Sequence, residues 1–289
     1  MGTACPSGVA QIRRSQELIR ADLERAVLRA GPEVRRLFES GQFTVREKRD
    51  QTPVTEADTR TEGIIRKELE RGYPGIPVVS EEDEARSDLR SVEEFFVLDP
   101  IDGTWNFAAE IPVFFVSVAY VQGGLPRAGV MYNPVSRQLY SAVEGAGAFR
   151  SSRVPKRPGR GQGGARKVRL STLPYRPLSE CQVHRHDRRL DRLTAIRILE
   201  HIVLKARGVR DLGSTTAEMA LIAAGRSDAL VGYYVANWDV AAASLILKEA
   251  GGVVTRLDGS PVDYTGAEKF SVCAAGNPKL HQELLSALG

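Results

Sequence analysis

Residues 97–107 read VLDPIDGTWNF and place two carboxylates, Asp99 and Asp102, at the end of an apolar run. Like charges at this spacing repel and raise each other's pKa, so something positive is expected between them. Other carboxylates stand in comparable places. SEEDE at 80–84 follows the apolar stretch IPVVS, Asp58 lies near the start of one helical pattern, and Asp239 opens another in NWDVAAAS. Strand ends and first helical turns are where active sites of layered α/β folds collect. Carboxylates without His or Cys ligand pairs suit hard cations, Mg²⁺ or Mn²⁺, rather than zinc. Two such ions about 3.5–4 Å apart would clamp both oxygens of an in-line phosphoryl displacement. On this reading Asp99 and Asp102 diverge around a tight Pro-Ile turn and bridge the ions. Gly103 lets the backbone approach a ligand. The run TWNFAAE, stopped by Pro112, forms a helical turn whose free N–H groups receive a phosphate. Thr104 orients an attacking water, with Asp58 accepting its proton. Taken singly, acidic residues near turns usually cap helices or stay solvated, and composition does not decide between the two readings.

The elements that must hold these residues can be read from periodicity. Apolar residues from Ser7 to Ala30 recur at helical spacing, and Gly31-Pro32 is expected to interrupt them. A second helix is predicted from about Glu56 to Glu70. Short apolar runs follow at 76–80, 94–98, 113–121, 127–133 and 137–143, several separated by turn signals such as GGLP and NPVS, which predicts an antiparallel meander. KVRLS (167–171) is expected to return as partner of the strand near Phe149. Beyond residue 179 strands alternate with helices, which predicts a layered α/β portion. Thr215 and Glu218 match a capping box, Gly251 a helix C′ position, and Asn277-Pro278 the start of a last helix. The fold class is therefore mixed α/β in one domain over 1–289, with an antiparallel-sheet α+β portion at 1–178 and an α/β portion at 179–289.

The chain has 289 residues, 42% hydrophobic and 26% charged, enough for a substantial core. No apolar run reaches the roughly 20 residues of a membrane span. The first residues carry no apolar signal-peptide core, so a cytoplasmic location is expected. Cys5, Cys181 and Cys273 offer neither a CxxC pair nor a disulfide framework. The net charge of +4 is concentrated: residues 150–169 hold eight Lys or Arg and no acid, which leaves 32 basic against 36 acidic residues elsewhere. One basic hairpin tip thus sets the pI of about 9.0, and a general nucleic-acid surface is not implied. GRGQGG (159–164) satisfies G-x-G-x-x-G, but no strand precedes it and no helix clearly follows. His184 and His186 alternate in VHRHD and are expected to lie on the surface of a strand.

The chain resembles the inositol monophosphatase family of Mg²⁺-dependent, lithium-sensitive phosphatases. The resemblance rests on DPIDGTWNF (99–107) and WDVAAASLILKEAGG (238–252). PVTEAD (53–58), SEED (80–83), GAGAF (145–149) and LGSTTAEMALIAAGRSDA (212–229) fall in the family's order. It implies an αβαβα sandwich, usually a homodimer, with two or three Mg²⁺ ions per site, Mn²⁺ being an alternative. Carried over by position, it makes Glu81 a metal ligand, with Glu82 acting through water. Asp99 would bridge two ions and Ile101 lend its carbonyl, while Asp102 and Asp239 complete the set. Thr104 and Asp58 would polarise the nucleophilic water, and the Gly103 and Thr104 amides would hold the phosphate. Asp102, Ser214 and Thr215 are placed beside the substrate. Lys48 lies in the segment EKRDQT near a third metal position.

The substrate is where the match departs from the family. Relatives that carry a glutamate before the C-terminal Trp-Asp use it for inositol hydroxyls; here the aligned residue is Gly232, and 231–237 contain no acid. Tyr233 and Tyr234 are close enough in sequence to contact a ring, though adjacent tyrosines usually pack. Archaeal relatives that accept both inositol 1-phosphate and fructose 1,6-bisphosphate also lack that glutamate. The expectation is a phosphomonoesterase for inositol 1-phosphate, with fructose 1,6-bisphosphate as a second substrate. The alternative is a phosphatase for 3′-phosphoadenosine 5′-phosphate, NADP or histidinol phosphate. A non-enzymatic binding protein using the basic loop is the other class, and the complete carboxylate set argues against it.

Overall fold

The computed structural model describes residues 15–48, 52–83, 89–152, 166–187, 191–266 and 268–288. Cys5, the start of the first helical pattern and the basic tip with its GRGQGG run lie outside them.

In chain order the first elements are α1 (Gln16–Ser40), the ribbon strands β1 (Val45–Glu47) and β2 (Pro53–Thr55), and α2 (Glu56–Gly72). A seven-stranded sheet follows: β3 (Val78–Ser80), β4 (Glu94–Asp102), β5 (Phe115–Gln122), β6 (Leu125–Asn133), β7 (Gln138–Val143), β8 (Gly147–Ser152) and β9 (Arg166–Arg169), with the short α3 (Thr104–Ala108) after β4. The last third holds β10 (Gln182–Asp187), α4 (Arg192–Ile198) running into a π-helical turn, β11 (Gly208–Arg210), α5 (Thr215–Ala223), β12 (Ala229–Val235), α6 (Asn237–Glu249), β13 (Val253–Arg256), β14 (Phe270–Ala275) and α7 (Pro278–Leu288).

The large sheet keeps sequence order, β3 to β9. From β4 onward it is the predicted antiparallel meander, and Phe149 pairs with Arg169 as expected. β3 lies parallel to β4, because the chain returns through a long connection rather than a hairpin. The second sheet has the order β11-β10-β12-β14-β13 and is parallel on one side only.

Alternation along β4 shows how the layers stack. Phe96 and Leu98 face α1 and α2, in a core with Leu23, Val27 and Ile65. Phe95 and Val97 face the other way, onto α5 and α6. Those two helices also meet Leu230 and Val272 of the second sheet. The outer face of that sheet packs Val183 and Cys273 on α4 and α7 through Ile198, Leu280 and Leu284. The result is the αβαβα sandwich. Each fully buried side chain of this kind contributes about 1.5–3 kcal/mol. α6 is apolar nearly all round, as a helix buried between two sheets must be.

Two local expectations need correction. α1 does not stop at Gly31-Pro32 but runs on to Ser40. Pro32 removes one hydrogen bond, yet Val34 and Leu37 remain fully buried, and that packing outweighs the break. Gly31 is needed for the contact itself, since a Cβ there would lie 2.5 Å from the Tyr132 ring. The cap of α5 is Ser214 rather than Thr215. The Ser214 hydroxyl accepts from the Ala217 amide, while Glu218 reaches past the cap to the Leu212 amide. Gly251 (φ +103°) and Pro278 stand where expected.

Candidate active site

The two aspartates of β4 are three residues apart, so a regular strand would send them to opposite faces. They are not separated by a tight turn. The chain stays extended, and the pairing with β5 slips: Asp99 opposes Ser117, and Asp102 opposes Phe115. One extra residue on β4 forms a bulge that re-aims Asp102 toward the side already occupied by Asp99. That side faces the first turn of α6, which carries Asp239, and the turn just after β3, which carries Glu81.

Oxygens of Glu81, Asp99 and Asp239 lie within 4.8 Å of one another. Asp99 is fully buried. Its Oδ1 accepts from the Ile101 amide at 3.0 Å, but its Oδ2 finds no hydrogen-bond donor among the described residues. Burial, and then the nearby charges of Glu81, Asp102, Asp239 and Asp58, push the Asp99 carboxyl well above the usual carboxylate range. Burial raises Asp239 too, with Asp102 and Glu81 adding to it. A buried carboxylate oxygen with no donor, among four further carboxylates, fits a bound divalent cation.

Two groups already offset part of this charge. Lys48 Nζ lies 3.1 Å from Glu81 Oε1 and 2.7 Å from Glu82 Oε1. Burial pulls the ammonium pKa down, but the two glutamates overcome this and hold it above its ordinary value. Glu82 itself is pushed up to about 8 by burial and by Glu81. On the other side, Asp102 Oδ2 accepts from the Ser214 hydroxyl at 2.7 Å and the Thr216 amide at 2.6 Å. Ser214 is completely buried, so its hydroxyl serves Asp102 and the helix cap, while Thr215 lines the open cavity.

Asp58 and Thr104 come together as expected, 46 residues apart in sequence. The Thr104 hydroxyl stands 3.4 Å from Asp58 Oδ1 and 3.0 Å from the Ile101 carbonyl. Asp58 Oδ2 is fixed by the amide and hydroxyl of Thr55, at 2.7 and 2.6 Å, in the capping box of α2. Burial pushes Asp58 up to about 6 against those hydrogen bonds. Gly103 has φ +101°, and a Cβ on it would lie 2.9 Å from the Val113 carbonyl and 3.2 Å from Ser214 Cβ. The close approach that demands glycine is thus to the chain's own loops as much as to a ligand. Gly103→Ala should lower stability by about 1–3 kcal/mol, read as an earlier midpoint in urea unfolding; an unchanged midpoint would show that the loop relaxes freely.

The histidines are not on the surface. His184 and His186 are both buried, because β10 is covered on both faces. Burial, then Arg210, pushes His184 down to about 4. It lies 3.9 Å from Glu218, which burial pushes up to about 9. A carboxyl raised this way is fully compatible with folding only below its unfolded value, and ionising it costs stability as pH climbs from there toward 9. Glu218→Gln, which stays neutral, should therefore gain stability over the parent between pH 5 and pH 9. Urea titrations at both ends test this; a pH-independent difference would mean Glu218 is ionised in the fold.

The open cavity above the carboxylates is lined by Glu81, Ile101, Asp102, Gly103, Thr104, Thr215 and Asp239, and also by Trp105, His186, Tyr234, Trp238 and Lys269. His186 was expected elsewhere, and Lys269 sits in TGAEKF with no motif around it. Tyr233 and Tyr234 divide: Tyr233 packs against the core beside α7, and Tyr234 projects into the cavity.

The sequence profile described as "Inositol monophosphatase family" matches residues 14–289. The chain belongs to the inositol monophosphatase family. Among proteins similar to it, an inositol-1-monophosphatase of Mesorhizobium japonicum is 34% identical over 236 residues, covering 81% of this chain and 82% of that one. An inositol-1-monophosphatase of Bacillus subtilis is 31% identical over 238 residues, covering 80% and 81%. In structure, the extragenic suppressor protein SuhB of Bartonella henselae superposes with a TM-score of 0.79 at 29% identity, covering 94% of this chain and 98% of that one. Membership makes the chain a phosphoric monoester hydrolase acting on small phosphorylated substrates. No helix among the described residues is long and apolar enough to cross a membrane.

Proposed function

We propose that the chain hydrolyses inositol 1-phosphate, with fructose 1,6-bisphosphate as a second substrate, in a Mg²⁺-dependent reaction with water as nucleophile. One observation carries the reading: the Glu81, Asp99 and Asp239 oxygens converge within 4.8 Å, in the same cavity as Thr104, which Asp58 backs. Glu81, Asp99 and Asp239 would hold the cation, with Asp102 through its second oxygen and Ile101 through its carbonyl. The bound cation lowers the pKa of water and offsets charge on the phosphate oxygens.

The protein groups do the rest. The Thr104 hydroxyl donates to Asp58, which Thr55 holds, and accepts from the attacking water, so that the water's proton is relayed through the hydroxyl to the Asp58 carboxylate. Gly103 and Thr104 present backbone amides at the start of α3 to the phosphate. The loop carrying Ser214 keeps Asp102 in position. A cation held by Glu81 would compete with Lys48 for that carboxylate. A homodimer and a cytoplasmic location belong to the same proposal, checked by light scattering and by cell fractionation.

The test is phosphate release with Mg²⁺ from inositol 1-phosphate, fructose 1,6-bisphosphate, 3′-phosphoadenosine 5′-phosphate, NADP and histidinol phosphate. Release from inositol 1-phosphate that a chelator stops and Mg²⁺ restores is expected. Release from none of them would overturn the reading, and release confined to the last three would move it to the alternative substrates.

A further inference from the structure

The reacting phosphate accounts for the carboxylate floor of the cavity but not for its remaining wall. Lys269 lines that wall. Its ammonium lies 4.9 Å from the centre of the Tyr234 ring, and among the described residues no carboxylate lies within ion-pair distance of it. It is near enough to the floor for its charge to act on Asp239. A half-buried lysine that forms no ion pair among the described residues, beside a substrate cavity, is poised for an anion brought by the substrate.

The surrounding backbone holds it there. β12 slips register against β14 between Gly232 and Val235. Within that bulge Tyr234 adopts φ +61°, a left-handed conformation that a tyrosine rarely takes. The effect is to turn the ring out of the sheet and set it against Lys269, where the cation–π contact limits the lysine's freedom. The neighbouring position cannot supply an acid in its place. A Cβ on Gly232 would point at Val272 and Val235, at 3.1 and 3.4 Å, into the apolar core. Apart from Glu81, Asp102 and Asp239, the lining contains no carboxylate. Beside Lys269 that wall presents the Tyr234 ring and an imidazole, His186.

We propose that Lys269, positioned by Tyr234, binds the second phosphate of a bisphosphate substrate, so that a sugar bisphosphate is held more tightly than the monophosphate of the same sugar. The proposal rests on the phosphatase reading and narrows its substrate class. A phosphate dianion accepts charge-assisted hydrogen bonds from an ammonium, and such contacts are about twice as strong as neutral ones. The preference should therefore be about tenfold or more, with the reacting phosphate still on the carboxylate side.

Two measurements test it. The first is equilibrium binding by calorimetry with Mg²⁺ in an Asp58→Asn background, where ligand is consumed slowly. Fructose 1,6-bisphosphate should bind about tenfold more tightly than fructose 1-phosphate. Adenosine 3′,5′-bisphosphate against 3′-AMP shows whether the preference extends to nucleotides. Adding Lys269→Met should bring the sugar pair within about twofold, and Lys269→Arg should keep most of the preference. The second measurement is the ratio of kcat/KM for fructose 1,6-bisphosphate to that for inositol 1-phosphate, which should fall about tenfold in Lys269→Met, mainly through KM. No bisphosphate preference in the lysine-bearing protein, or a preference that survives Lys269→Met, overturns the subsite. Absent phosphate release from every substrate, alongside a lysine-dependent binding preference, overturns the catalytic reading and leaves the subsite standing.

Discussion

Asp99→Asn is expected to lower turnover by about a thousandfold or more while raising the melting temperature of the metal-free protein. Both effects follow from one carboxylate. Asp99 is fully buried, and its Oδ2 has no donor among the described residues. Removing its charge removes a ligand from the centre of the cluster, and charge stabilisation of this kind is worth at least about 10²–10³ in rate. The fold, by contrast, is relieved. The Asp99 pKa is raised well above the unfolded value, by burial first and by its acidic neighbours next. Ionising it therefore costs stability at every pH above the ordinary carboxylate value, in full above its folded value. Asn is the same shape, and its Oδ1 can still accept from the Ile101 amide. Calorimetry in chelator at pH 7.5 should show the variant melting higher than the parent, and added Mg²⁺ should stabilise the parent more. A variant with near-normal turnover at ordinary Mg²⁺ would remove Asp99 from the ligand set. One that melts lower in chelator would mean the charge is balanced by the protein itself.

The second large effect is on proton transfer. Asp58→Asn should reduce kcat by about 10²–10⁴ with a much smaller change in KM. Asp58 touches Thr104 and Thr55 rather than the cluster of Glu81, Asp99 and Asp239. Burial sets its pKa at about 6, and the ionised form is the one that accepts a proton. Activity of the parent should accordingly rise as pH passes through 6 and level off above it. In the variant that limb should vanish. Thr104→Ala should cause a comparable loss, and the double variant should be little worse than either single one, because the two act as a unit. Additive losses, or a retained acid limb in Asp58→Asn, would separate Asp58 from the reaction.

How much of this was readable beforehand depends on the residue. The meander from β4 to β9 follows from alternation and turn chemistry, which are local signals. The pairing of Asp58 with Thr104 came from long motifs, and the structure places the two 3.4 Å apart. The end of α1 was misjudged because a local breaker, Pro32, lost to burial of Val34 and Leu37. The histidines were misplaced because alternation along β10 gives two faces but not what covers them. The resemblance marked Lys48 but not its contact with Glu81 and Glu82, and nothing around Lys269 marks it; the partners of both lysines are 33 or more residues away in sequence.

The sequence by itself determined which carboxylates stand at strand ends and helix starts and the elements that carry them, because strand alternation, helix starts and the two long motifs are written within short stretches of chain. Only the tertiary structure decided how those carboxylates share charge. The bulge that turns Asp102 beside Asp99, the ammonium of Lys48 on Glu81 and Glu82, and the cation at Tyr234 all arise from contacts between distant segments. Charge interactions depend on distance and burial through space, and neither is encoded by spacing along the chain.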